Sequence, residues 1–125
     1  MVSLAVILAV CAAHFIADFV LQARWMAVNK SSNLGALSLH IAQYSLVIAG
    51  LLWPTLVWLG YEPNGTFALW IVVNAGAHFV VDFVSSRLAK AAMEKNNQKL
   101  FWSTIGADQF AHQVCLFGTY VLLGM

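Results

Sequence analysis

The chain is predicted to be all-α, a four-helix transmembrane bundle made of two helix-pair repeats in parallel topology. Three observations predict this. Apolar residues fill 62% of 125 positions, well above the roughly 45–50% of soluble globular domains. Charges are sparse, with six Lys or Arg against five Asp or Glu, which leaves room for four apolar runs of about 20 residues each. A nine-residue motif also recurs: residues 12–20 read AAHFIADFV and residues 76–84 read GAHFVVDFV. The prediction is one integral membrane domain over residues 1–125, with repeat one at about 1–60 and repeat two at about 66–125. A soluble enzyme is disfavoured. A net charge of +1, with its cations beside apolar segments, provides no basic stripe for nucleic acid. Cys11 and Cys115 each stand alone in an apolar run, so no disulfide framework or paired-cysteine metal motif is expected.

The first run covers residues 2–23 and is closed by Arg24 and Trp25, a cation and an indole suited to the headgroup level. It reads as a span and not as a cleaved signal, because no cation precedes it and His14 and Asp18 interrupt it. The second run covers residues 34–59, with Pro54 late enough to bend the helix without abolishing its earlier turns. Residues 60–66, with Glu-Pro-Asn-Gly at their centre, form a reversal. The third run covers residues 67–92 and ends in the hydrophilic stretch 94–99; the fourth covers residues 100–125. No strand-sized alternation competes.

All six cations border the first and third connections, while the middle one carries only Glu62. The positive-inside rule therefore places those two connections in the cytoplasm and both termini and the middle turn outside. Both repeats begin on the same side, as parallel repeats do. His14, His78, His40 and Asp108 each lie nine or ten residues from a boundary cation, roughly 15 Å at 1.5 Å per residue. Polar groups of four helices thus fall in one layer of the cytoplasmic half.

Helical spacing puts His14, Asp18 and Gln22 on one face of the first helix, and Asn74, His78, Asp82 and Ser86 on one face of the third. His40 and Tyr44 share a face of the second, and Asp108 and His112 of the fourth. An Asp at mid-span costs roughly 2.5–3.5 kcal/mol on insertion scales, whereas a polar bond between helices returns about 1 kcal/mol. Seven ionisable groups in one layer therefore call for a metal, a proton path or a substrate. Imidazole and carboxylate at i,i+4 can share one centre. A set of His and Asp suits zinc, and also manganese or iron.

The run HFIADFVLQ over residues 14–22, Leu39-His40, residues 74–82 with Arg87, and Trp102 followed by Asp108, Gln109 and His112 together resemble a family of small bacterial and phage-encoded membrane proteins, domain of unknown function 3307. The resemblance covers nearly the whole chain and implies a protein of the bacterial cytoplasmic membrane. A more distant similarity is to membrane-bound metal-dependent hydrolases. It implies functional positions at His14, Asp18, Gln22, His40, His78, Asp82, Arg87, Asp108, Gln109 and His112.

A catalytic zinc keeps one position open for water and needs a carboxylate to take the proton. His14, His78 and His112 are the expected core ligands, with Asp82 either a fourth ligand or the base. Asp18 and Asp108 are the other candidate bases, and His40 is a ligand or proton shuttle. Arg87, Gln22 and Gln109 are expected to face the substrate, a membrane lipid presented at the cytoplasmic interface. Two rivals remain: an ion or proton pathway, and a structural or phage-related membrane factor without catalysis. Gly35, Gly50, Gly76 and Gly118 allow close helix approach, so a homo-oligomer is compatible with either rival or with the enzyme.

Overall fold

A computed structural model describes residues 3–125; the expected start of the first run at Val2 lies outside them. Among the described residues there are five α-helices, one π-helical turn and no strand. Helix α1 (Leu4–Phe15) begins where Ser3 Oγ accepts a hydrogen bond from Val6 N at 3.3 Å, which satisfies one of the donors a helix start leaves open. It continues directly into the π turn Ile16–Val20, closed by Leu21 N donating to Ile16 O at 2.9 Å. The widened turn contains Asp18. Such turns are rare and concentrate at functional sites, and the matching stretch of the second repeat has none.

The connection that follows is partly helical. It carries the short helix α2 (Arg24–Asn29), which packs on α3 (Leu34–Trp58). Asn33 caps α3 by accepting from Gly35 N and Ala36 N. Pro54 lies within α3 near its end. The reversal after Trp58 uses Gly60 at φ +86°, a conformation that costs a residue with a Cβ. Asn64 then caps α4 (Gly65–Glu94), and Asn97 caps α5 (Gln98–Leu122). Between them Asn96 takes φ +51°, which asparagine tolerates better than most side chains.

Helix α1 packs on α3, α3 on α4, and α4 on α5. Each contributes an inward stripe that changes character along its length. The apolar half contains Val6 and Val10 of α1, Ile48, Leu52 and Leu56 of α3, Phe67 and Trp70 of α4, and Leu116 and Tyr120 of α5. Trp70 Nε1 donates to Leu116 O at 3.1 Å and Asn74 Nδ2 to Thr119 Oγ1 at 2.8 Å, tying α4 to α5 there. The other half, towards the two lysine-bearing connections, buries His14, Asp18, His40, His78, Asp82, Asp108 and His112.

Outer faces carry the opposite chemistry. Leu8, Leu46, Val72, Val80 and Phe110 are all exposed, Leu46 and Phe110 by more than 70%. Of the four apolar runs, α3 and α4 are long and apolar enough to cross a membrane. The α1 segment with its π turn, Leu4–Val20, is shorter. Helix α5 has the length, but Gln98, Lys99, Ser103, Asp108, Gln109, His112, Gln113 and Thr119 dilute its hydropathy.

Candidate metal centre

Four helical segments supply the polar cluster, and their spacing explains its geometry. His78 and Asp82 lie one turn apart on α4, Asp108 and His112 one turn apart on α5, His40 sits on α3, and the π turn holds Asp18. Asp18, His40, His78 and Asp82 are all buried and offer one ligand atom each within 4.8 Å of the others.

The separations within this set are informative. His40 Nε2 lies 3.1 Å from Asp18 Oδ1, 3.2 Å from Asp82 Oδ2 and 3.3 Å from His78 Nε2. His78 Nε2 lies 3.6 Å from Asp18 Oδ1 and 3.5 Å from Asp82 Oδ2. A tetrahedral zinc with N and O ligands at about 2.0–2.1 Å has ligand-to-ligand edges of about 3.3 Å. Five edges of this quartet therefore match a four-coordinate ion with little movement. Asp18 Oδ1 is also buried without a hydrogen bond. His40 Nε2 is near it but not aligned to donate, and a buried carboxylate oxygen so placed needs a cation or a donor.

Neighbouring amides set the orientation of these groups. His40 Nδ1 is 3.0 Å from the Gln22 side-chain amide. When that amide turns its oxygen to Nδ1–H, the Nε2 lone pair faces the quartet, as a ligating imidazole requires. Gln109 donates through Nε2 to Asp18 Oδ2 at 3.0 Å and to Asp108 Oδ2 at 2.9 Å, and its oxygen lies 2.9 Å from His14 Nε2. His14 Nδ1 meets Tyr44 OH at 2.9 Å. Both His14 nitrogens are thus engaged. Its Nε2 is 3.9 Å from Asp18 Oδ2, and it stands behind the ligand quartet, holding Gln109.

The structure brings the four histidines, three aspartates and Gln109 named from the sequence into one cluster, and the four-residue set whose ligand atoms lie within 4.8 Å of one another differs from the expected His14, His78, His112 and Asp82. His78 and Asp82 lie in the quartet, together with His40 and Asp18. His112 lies 3.3 Å from Asp82 Oδ1 and 3.5 Å from Asp108 Oδ1. Asp108 accepts from Ser85 Oγ at 2.5 Å. Arg87 turns back along its own helix, donating to Phe83 O at 2.7 Å and lying 3.6 Å above the Phe83 ring, away from the cluster. The cation at the cluster is Lys30, whose Nζ is 2.8 Å from Asp82 Oδ2. Sequence reading treated it as a boundary anchor. The only signal in its favour was its place on the connection that covers this end of the helices.

A cavity of about 580 Å³ opens beside the cluster, lined by Asp18, Gln22, Lys30, Lys90, Phe101 and Asp108, among others. It brings two of the carboxylates to a largely apolar chamber with two lysines. Fold and site together define an all-helical protein with apolar outer faces and a buried His/Asp cluster that could hold a metal ion. The chain belongs to the family described as "Protein of unknown function (DUF3307)", which matches residues 6–124. No curated protein matches it, and no solved structure does.

Proposed function

We propose that the protein is a multi-pass inner-membrane metalloenzyme that holds a divalent transition metal, zinc foremost, and hydrolyses a lipid-like substrate at the cytoplasmic side. The observation that carries the reading is the quartet of Asp18, His40, His78 and Asp82 with its edges of 3.1–3.6 Å. Lys30 already offsets Asp82 Oδ2, whereas the buried Asp18 Oδ1 has no hydrogen bond and is costly unless a cation or donor meets it.

Membrane residence is supported by the inverted distribution of side chains: ionisable groups inside, and large apolar groups such as Leu46, Val72 and Phe110 outside. A water-soluble protein of this size rarely exposes so much contiguous apolar surface. In this reading α1, α3, α4 and α5 form a four-span bundle of two parallel repeats, with both termini and the 60–66 turn outside, a placement that the positive-inside rule favours from the positions of the six cations. Close helix approach at the small residues leaves room for a homo-oligomer.

A divalent ion held by Asp18, His40, His78 and Asp82 would supply Lewis acidity, and a water taken as a fifth ligand would become a better nucleophile near neutral pH. The chain's own groups do the rest. Asp108, which lines the cavity, is placed to accept the proton of the attacking water and return it to the leaving oxygen as the acyl or phosphoryl bond breaks. Phe101 and its apolar neighbours accommodate the hydrocarbon part, while Lys30 and Lys90 attract an anionic headgroup. The opposite half of the interior is closed by Leu52, Trp70, Leu116 and Tyr120, so a continuous ion path is the weaker reading.

The test is metal content of the purified full-length protein, set against hydrolysis of phospholipid, lipid-amide and prenyl-phosphate substrates in nanodiscs. Bound metal with turnover on one lipid class supports the proposal. Metal without turnover on any class refutes the hydrolase, and absence of both metal and metal-dependent stabilisation refutes the centre itself.

A further inference from the structure

The quartet uses only one oxygen of each of its two aspartates. Asp82 Oδ2 faces His40 and His78, whereas Oδ1 faces His112 at 3.3 Å. Asp18 is divided the same way, with Oδ1 towards His40 and His78 and Oδ2 towards Gln109 of α5. Beyond them stand two more groups of ligand chemistry, Asp108 and His112. Asp18, Asp108 and His112 each offer an atom within 4.8 Å of the other two.

We propose that the centre is dinuclear, with a second divalent transition metal held by Asp18, Asp108 and His112 and with Asp18 and Asp82 bridging the two positions. The proposal rests on the metal reading above and deepens it. Carboxylates that present their two oxygens to different ligand sets are how paired ions about 3.5–4 Å apart are shared in hydrolytic centres. The His112 ring stacks on the His78 ring with centroids 3.9 Å apart and planes at 24°, which sets the two imidazoles side by side, each serving its own ion. His112 Nε2 has edges of 3.3 Å to Asp82 Oδ1 and 3.5 Å to Asp108 Oδ1, the same spacing as in the quartet.

The two positions differ in access. His40, His78 and Asp82 lie away from the cavity wall, whereas Asp18 and Asp108 form part of it. The first position has four protein ligands and is enclosed. The second has Asp108 and His112 of its own besides the two shared carboxylates and faces the chamber, where water and substrate can add to an ion that takes five or six ligands, as manganese does. Gln109, donating to Asp18 and Asp108 at once, keeps the open position's carboxylates apart and aimed. A set rich in carboxylate suits manganese or iron as well as zinc.

The experiment strips the full-length protein in nanodiscs with a chelator, re-equilibrates it with Zn²⁺ or Mn²⁺, and counts ions per chain by elemental analysis. Electron paramagnetic resonance is recorded on the Mn²⁺ form. Two ions per chain and an exchange-coupled manganese signal are expected. Asp108→Asn and His112→Gln should each retain one ion per chain with an uncoupled six-line spectrum. Saturation of the parent at one ion with both metals, or two ions whose spectra are uncoupled, overturns the dinuclear centre and leaves the single-metal reading standing. Binding of neither metal overturns both. Should a variant misfold, the stoichiometry and coupling of the parent still decide.

Discussion

Lys30→Met changes the charge balance of the centre without touching a proposed ligand. Lys30 Nζ donates to Asp82 Oδ2 at 2.8 Å from a side chain that is only 16% exposed. The same oxygen belongs to the metal quartet, so a divalent ion there competes with the ammonium for it and is repelled by its charge. A hydrogen bond between charged groups contributes about 1.5–3 kcal/mol. Removing this competitor should therefore tighten metal binding by roughly 10- to 150-fold, at 1.4 kcal/mol per decade. The stripped protein should move the opposite way, losing about 1–3 kcal/mol because Asp82 loses its closest donor. Competition with a fluorescent zinc chelator measures the first effect, and thermal unfolding of the stripped protein the second. Lys90→Met, which removes a cavity lysine farther from the carboxylates, should change zinc affinity by less than about threefold, the scale of weak screened charge effects. Unchanged or weaker zinc binding in well-folded Lys30→Met would show that the quartet is not where the metal goes.

Tyr44→Phe removes the hydroxyl at His14 Nδ1 and should cost about 1 kcal/mol in stability, with a smaller loss of metal affinity than His40→Gln; chelator competition ranks the two. Asn74→Ala should destabilise the α4–α5 contact by about 1–2 kcal/mol through the lost bond to Thr119, read as a lower unfolding temperature with unaltered metal content. Acidification should release the metal, because protonated imidazole and carboxylate cannot ligate; retention at pH 4 in protein that still unfolds cooperatively would argue against a His/Asp site. Asp108→Asn should lower turnover by roughly 10²-fold or more, measured on whichever lipid the parent cleaves, and its ion count tells a lost proton acceptor, with the parent's metal content kept, from a lost ligand of the second position. Cysteine reporters at positions 28 and 96 should label only from the cytoplasmic side of sealed vesicles and one at position 63 only from outside, and the reverse pattern overturns the topology.

Periodicity and composition were enough to establish the helices. The 3.6-residue repeat of apolar and polar positions is a local property, so residues such as His78 and Asp82, four apart on one helix, declare a shared face without any tertiary information. Their depth was legible too, because 1.5 Å per residue from the nearest boundary cation fixes height along an axis. Boundary cations likewise mark the first and third connections, whereas the caps that Asn33, Asn64 and Asn97 supply to α3, α4 and α5 emerge only in the structure.

Depth and face do not say which atom meets which across helices. Two copies of one motif looked equivalent in sequence, yet His78 faces the quartet while His14, its counterpart, is held by Tyr44 and Gln109. The difference arises because α1 opens into a π turn at Asp18 and because each motif packs against a different neighbour. Lys30 could not be told from an anchor until α2 laid the first connection against α3 and brought its ammonium to Asp82. By itself the sequence determined that the chain is helical, which residues share a layer, and which chemistry that layer holds. Only the tertiary structure decided which groups meet each oxygen of Asp18 and Asp82, because separations of 3 Å between helices depend on rotation and packing that no residue spacing within one helix records.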